Sequence, residues 1–193
     1  LAGARRAGVP GCEVNTHARE DYPVICAAAS RLTGTGLHGL RRPGGGRPCV
    51  MATTTTHVDA SPERVFAVLS DPRSYEYWVV GSKEIRHWDA DFPALGTSFH
   101  HTFLIGPVPI RDRTTVLEID PPRRLLLRAR ARPTGVAHVA LDLEAKDGGT
   151  QVSITEVPVE GVAARLHNPL QDKLIQMRNV ESLRRLKKLA EPG

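Results

Sequence analysis

Four side chains in this 193-residue sequence have the chemistry to hold or transform a bound molecule, and each sits in an otherwise apolar pattern. In "TSFHHTFLI", Phe99, His101 and Phe103 share one strand parity. If the phenylalanines face inward, His101 does too. An imidazole there can act as a general base or hold a ligand oxygen; equally, it can sit near a cavity mouth, bonded to backbone or water. Glu156 follows Val152 and Ile154 on the same parity. An inward carboxylate is costly without a cationic partner, and Arg178 is available for a sheet-to-helix pair. Asn179 lies on a helical stripe with Ile175, Leu183 and Leu186. A buried amide must be satisfied, either as a clamp onto the sheet backbone or by a ligand carbonyl.

Other candidates carry less. His100 and His101 are adjacent on a strand, so they point to opposite faces and cannot share a metal. No HExxH, cysteine cluster or carboxylate dyad appears, and neither a metal nor a cofactor is expected. "GTGLHG" (Gly34–Gly39) matches a dinucleotide fingerprint, yet no strand precedes it and "RRPGGGR" after it cannot be a helix. Arg128, Arg130 and Arg132 read as one solvated strand face. Tyr75 and Trp78 follow the first helix, as ordinary core aromatics or as a gate to a pocket.

The elements that must position these groups are legible from Met51 onward. "TTTTHVDA" is β-branched and suits a strand. Ser61 can cap a helix that begins at Pro62 and Glu63, with Val65, Val68 and Leu69 on its apolar face. Asp71-Pro72 ends it and starts a short second helix through "RSYEYW". Six strands follow, separated by "DFPALG", "GPVP", "DPPRR", "PTG" and "KDGG". Breaks this short favour antiparallel neighbours. Leu125, Leu127, Ala129 and Ala131 share a face, as do Val139, Leu141 and Leu143, so one side of the sheet is dry.

The chain closes with a helix of about twenty residues, capped by Asn168 with Pro169 at its first position. One stripe holds Ile175, Asn179, Leu183, Leu186 and Ala190. A rotated stripe holds Leu166, Leu170, Leu174, Met177 and Val180. So much apolar surface is expected to lie across the dry sheet face. The fold expected is one α+β domain over residues 51–193. A bent antiparallel sheet gripping a straight helix leaves a cavity between them.

Residues 1–50 differ from the rest. They hold seven arginines, no lysine and three acids, while residues 51–193 are nearly balanced at 19 basic and 18 acidic groups. The expectation is a leader, either untranslated or without fixed structure, with the protein proper starting at Met51. A near-neutral body disfavours nucleic acid as a partner. All three cysteines precede Met51, so the body needs no oxidising compartment. The longest apolar run of the leader is too short to cross a bilayer. A cytoplasmic location is expected, and oligomeric state is left open.

The segments "DASPERVFAVLSDPRSYEYW", "FPALGTSF", "DPPRRLLLRAR", "GGTQVSITE" and "RNVESLRRL", in that order, resemble the START-like SRPBCC superfamily, the polyketide cyclase/dehydrase and lipid-transport type. The resemblance spans Met51 to about Ala190. It implies a helix-grip fold, a curved antiparallel sheet around a long C-terminal helix, with an internal pocket for apolar or amphipathic small molecules. It implies no particular reaction, since fold does not decide function. Trp78, Phe99, Phe103, Leu127, Leu141, Ile154, Arg178 and Asn179 are the expected ligand-binding residues. Three readings stand: a carrier of a small hydrophobic or aromatic molecule; a polyketide cyclase or dehydratase with His101 and Glu156 as its catalytic pair; and a non-catalytic interaction module with a filled core.

Overall fold

A computed structural model describes residues 52–105, 107–131, 135–161 and 169–192. The leader, Met51, Arg132, Leu166 and the Asn168 cap lie outside them. The chain runs through β1 (Ala52–Val58), α1 (Pro62–Ser70), a 3₁₀ turn (Pro72–Ser74) and α2 (Tyr75–Trp78). The local chemistry explains each boundary. Ser61 Oγ accepts from the Arg64 N–H at 3.3 Å, and Pro62 and Glu63 suit the first helical turn. α1 buries Val65, Leu69 and also Phe66, which stands between them. Asp71 donates its N–H back to the Val68 carbonyl and accepts from the Arg73 N–H, so one residue ends α1 and starts the turn.

Six strands follow: β2 (Ser82–Trp88), β3 (Ser98–Ile105), β4 (Val108–Asp120), β5 (Arg124–Ala131), β6 (Gly135–Lys146) and β7 (Gly149–Glu160). With β1 they form one antiparallel sheet in the order β1-β7-β6-β5-β4-β3-β2. Since β1 and β2 occupy opposite edges, α1 and α2 carry the chain across the end of the sheet. The β6–β7 hairpin turns at Asp147 and Gly148, both with positive φ, the backbone twist a two-residue hairpin favours. Register shifts interrupt β2, β4 and the end of β7. Such bulges bend a strand and curve the sheet.

The last helix, α3 (Pro169–Ala190), lies on β1 and β7 and against α1 and α2. Its second half is tied down at several points. Lys187 Nζ donates to the His57 carbonyl at 3.0 Å, Arg64 Nε to the Ala190 carbonyl at 3.3 Å, and the Asp59 N–H to Glu191 Oε1 at 2.8 Å. Asn179, Ser182, Leu183, Leu186 and Ala190 form the buried stripe. The second stripe departs from expectation. Leu170, Leu174, Met177 and Val180 are each more than half exposed. A helix turns roughly 100° per residue, so Met177 lies about 200° around from Asn179. One straight helix cannot press both faces on one sheet. This is the α+β helix-grip architecture.

Candidate functional site

Cross-strand register decides where the interior is full and where it is hollow. One row of inward side chains runs Leu125, Leu141, Ile154 across β5, β6 and β7. A second runs Val116, Leu127, Val139, Glu156 across β4 to β7. A third runs Phe99, Thr114, Ala129, Ala137 across β3 to β6. Inward side chains thus shrink along β5 and β6: Leu125 and Leu127 to Ala129 on β5, and Leu143 and Leu141 to Val139 to Ala137 on β6. Where they are small, the sheet and α3 fail to meet. The gap is a cavity of about 130 Å³.

Its walls are mostly apolar. Tyr75, Trp78 and Val79 close it from the helical side; Phe99, Phe103, Leu127, Ala129, Ala137, Val139 and Ile154 line the sheet side. The aromatic rings pack in series. Trp78 and Tyr75 are 5.0 Å apart, Tyr75 and Phe99 4.6 Å, and Phe99 and His101 5.4 Å between centroids. Trp78 Nε1 donates to Ser74 Oγ at 3.2 Å and the Tyr75 hydroxyl to the Leu69 carbonyl at 2.9 Å. Both rings are therefore fixed at their polar ends and show the cavity their apolar sides. Phe103 packs over Gly81, where a Cβ would come within 2.5 Å of the ring.

The polar groups are few. His101 is buried, and Thr114 Oγ1 lies 3.2 Å from its Nε2. Burial pulls the His101 pKa from 6.5 down to about 4, against the opposing pull of the Asp112 carboxylate. The imidazole is uncharged at neutral pH. Glu156 is buried on β7 and accepts from Arg178 of α3, so two opposite charges close on each other across the cavity wall. Asn179 is 3% exposed and lines the cavity, yet its Nδ2 has no hydrogen-bond partner. Ser82 Oγ, also on the lining, is a second buried polar atom without one. Ser182 Oγ, one turn beyond Asn179, accepts from the Val80 N–H at 3.1 Å.

The structure gathers nine of the ten sequence-nominated site residues around this space: His101, Glu156, Trp78, Phe99, Phe103, Leu127, Ile154, Arg178 and Asn179. Leu141 is the correction. It is fully buried in the packed core and off the lining, because its register partners are Leu125 and Ile154 rather than the small residues of the next rows. The Asn179 amide nitrogen meets no acceptor, so any clamp onto the sheet backbone is not made through it. Arg130 is exposed, as a solvated stripe requires, but it also reaches the cavity lining, beside the register shift at Val136 and Ala137. Sequence reasoning missed Ser82, Thr114 and Ser182. Helical spacing from Asn179 could have found Ser182. Thr114 was hidden because the inward parity of β4 carries Asp112 and Thr114 and so does not look apolar.

A curved sheet, a gripping helix and an apolar hollow between them define the helix-grip class. Within it, the chain belongs to the family described as polyketide cyclase / dehydrase and lipid transport, whose profile matches residues 50–191. A search among curated proteins finds no match. Solved structures share the fold at low identity. Protein CV1439 from Chromobacterium violaceum is 22% identical, with a TM-score of 0.57 over 75% of this chain and 99% of that one. The di-domain ARO/CYC BexL of the BE-7585A biosynthetic pathway is 13% identical, with a TM-score of 0.58 over 75% of this chain and 50% of that one. The Aha1 dimer from Colwellia psychrerythraea is 15% identical, with a TM-score of 0.55 over 75% of this chain and 98% of that one. Among the described residues no helix is long and apolar enough to cross a membrane.

Proposed function

We propose that this chain binds a small, largely apolar molecule in the hollow between the sheet and α3, and that it works in the cytoplasm, since a body without cysteines needs no oxidising compartment. The observation that carries the reading is the local contrast in packing. Protein interiors are close-packed, and the α1 end of this interface is sealed by Leu69, Leu183, Leu186 and Ala190. The cavity opens only where small side chains line up in register and aromatic rings bound the gap.

A cyclase or dehydratase is the second reading. It is favoured by the family's description and by His101 and Glu156, two proton-bearing groups on one lining. Against it, both groups already have partners, Thr114 and Arg178, and a base with a pKa of about 4 accepts protons weakly at neutral pH.

The test is a titration of the ¹⁵N-labelled protein with single-ring fragments. Saturable shifts confined to the amides of Phe99, His101, Ala137 and Asn179 are expected. Shifts that never saturate, or that map to the outer sheet face, would overturn the proposal. His101→Gln keeps binding intact on the carrier reading and abolishes turnover on the enzyme reading.

A further inference from the structure

We propose that the outer face of α3 docks on an anionic lipid surface. Positions 170, 174, 177, 181, 184 and 188 recur at spacings of four and three, so they form one line along the helix. The line changes character halfway. Leu170, Leu174 and Met177, with Val180 beside them, are each more than half exposed; Glu181, Arg184 and Lys188 follow. Large apolar side chains left together in water mark an interaction site. The order of the line says what fits it. A second copy running antiparallel along the whole line sets Leu174 beside Arg184 and Met177 beside Glu181. One running parallel stacks Arg184 on Arg184 and Lys188 on Lys188. An overlap of the apolar halves alone uses four part-buried side chains a copy, short of the roughly 1,000 Å² that a stable interface needs. A lipid surface takes both halves at once. Its headgroup–acyl boundary receives the apolar side chains. Its anionic headgroups receive Arg184, Lys188 and the exposed Lys173, which flanks the apolar half. Glu181 is no obstacle, because Arg184 and Arg185 hold it at 2.6 and 2.8 Å. The opposite face of α3 stays on β1, α1 and α2, so docking asks for no rearrangement of the fold. The inference stands apart from the cavity reading and needs no occupant there.

Co-sedimentation of the full chain with vesicles tests this, using phosphatidylcholine alone and phosphatidylcholine with about one-third phosphatidylglycerol. The anionic vesicles should bind at least about tenfold more tightly, and that advantage should shrink severalfold on raising salt from about 0.1 to 0.5 M. Leu174→Gln combined with Met177→Gln should weaken binding about tenfold. Lys173→Gln and Lys188→Gln should each weaken it about fivefold. All four positions are exposed, so the melting temperature should not move. Leu95→Gln alters an equally exposed apolar side chain on the loop between β2 and β3 and should change nothing. Residues 1–50 carry seven arginines and attract anionic lipid too, so the α3 substitutions decide. Binding that ignores them, or that Leu95→Gln weakens as much, overturns the assignment to α3. Equal binding to both vesicles overturns the anionic requirement, and no sedimentation with either overturns the proposal. A dimer in light scattering that Met177→Gln dissociates gives the face to a second copy and overturns it as well. None of these outcomes bears on the fragment titration that tests the cavity.

Discussion

The two ends of the sheet–helix interface are built from the same strands and the same helix, yet one is solid and the other hollow. At the α1 end, Leu183, Leu186 and Ala190 share one core cluster with Val58, Leu125 and Val152, all essentially sealed. At the other end, Arg178, Asn179 and Ser182 face Thr114, Ala129 and Ala137 across open space. Backbone geometry alone does not create the difference. Side-chain size does, by tapering along β5 and β6 in step, so that small residues become cross-strand neighbours. A cavity here is a property of register as much as of composition.

The contrast can be broken most directly at its solid end. Leu183→Ala should cost about 4 kcal/mol in urea unfolding, since a sealed site cannot collapse around the void, whereas Leu127→Ala, which already borders empty space, should cost about half as much. Equal losses would mean the two ends are packed alike. The next effect is the pH response of the hollow end. His101 has a folded pKa of about 4 against 6.5 when free. The unfolded chain therefore binds more protons between those values. The stability contributed by keeping the ring neutral is whole above pH 6.5 and is lost as pH falls towards 4, by about 3 kcal/mol. His101→Gln should flatten that part of the stability–pH curve in melts at pH 7, 5.5 and 4; an unchanged slope would place the acid sensitivity elsewhere. The smallest effect belongs to the outer face of α3. Leu174→Gln, at a position 59% exposed, should change stability by less than about 0.5 kcal/mol. A larger loss would mean that this face is covered in solution.

Much of this was open to reading before any coordinates. Period-two alternation assigned the inward faces of β3, β5, β6 and β7, and the cap at Ser61 and the breaks at Gly, Pro and Asp located the elements. Parity alone brought His101, Glu156 and Phe103 to one side of the sheet. What parity cannot supply is which inward residue neighbours which. Leu127 and Leu141 look alike in sequence, but Leu127 sits one row closer to Ala129 and Ala137, and only that offset puts it on the cavity while Leu141 is sealed. The state of Asn179 was hidden for a related reason. Helical spacing identifies a face, while a hydrogen bond depends on angstrom-level distances to an opposing backbone. The exposed stripe of α3 shows the same limit, because an apolar face predicts burial only when there is a second surface to bury it.

The pairing of β1 with β7 has a consequence for how the polypeptide is made. Thr53 and Thr155, whose hydroxyls meet at 3.0 Å, are separated by 102 positions. Once it has left the ribosome, β1 cannot find its mate until nearly the whole domain has been synthesised, which makes assembly depend on long-range closure. A waiting strand rich in valine or isoleucine would be a hazard to neighbouring nascent chains. Thr53, Thr54, Thr55 and Thr56 keep the β-branched shape that extended pairing favours while offering hydroxyls to water in the meantime.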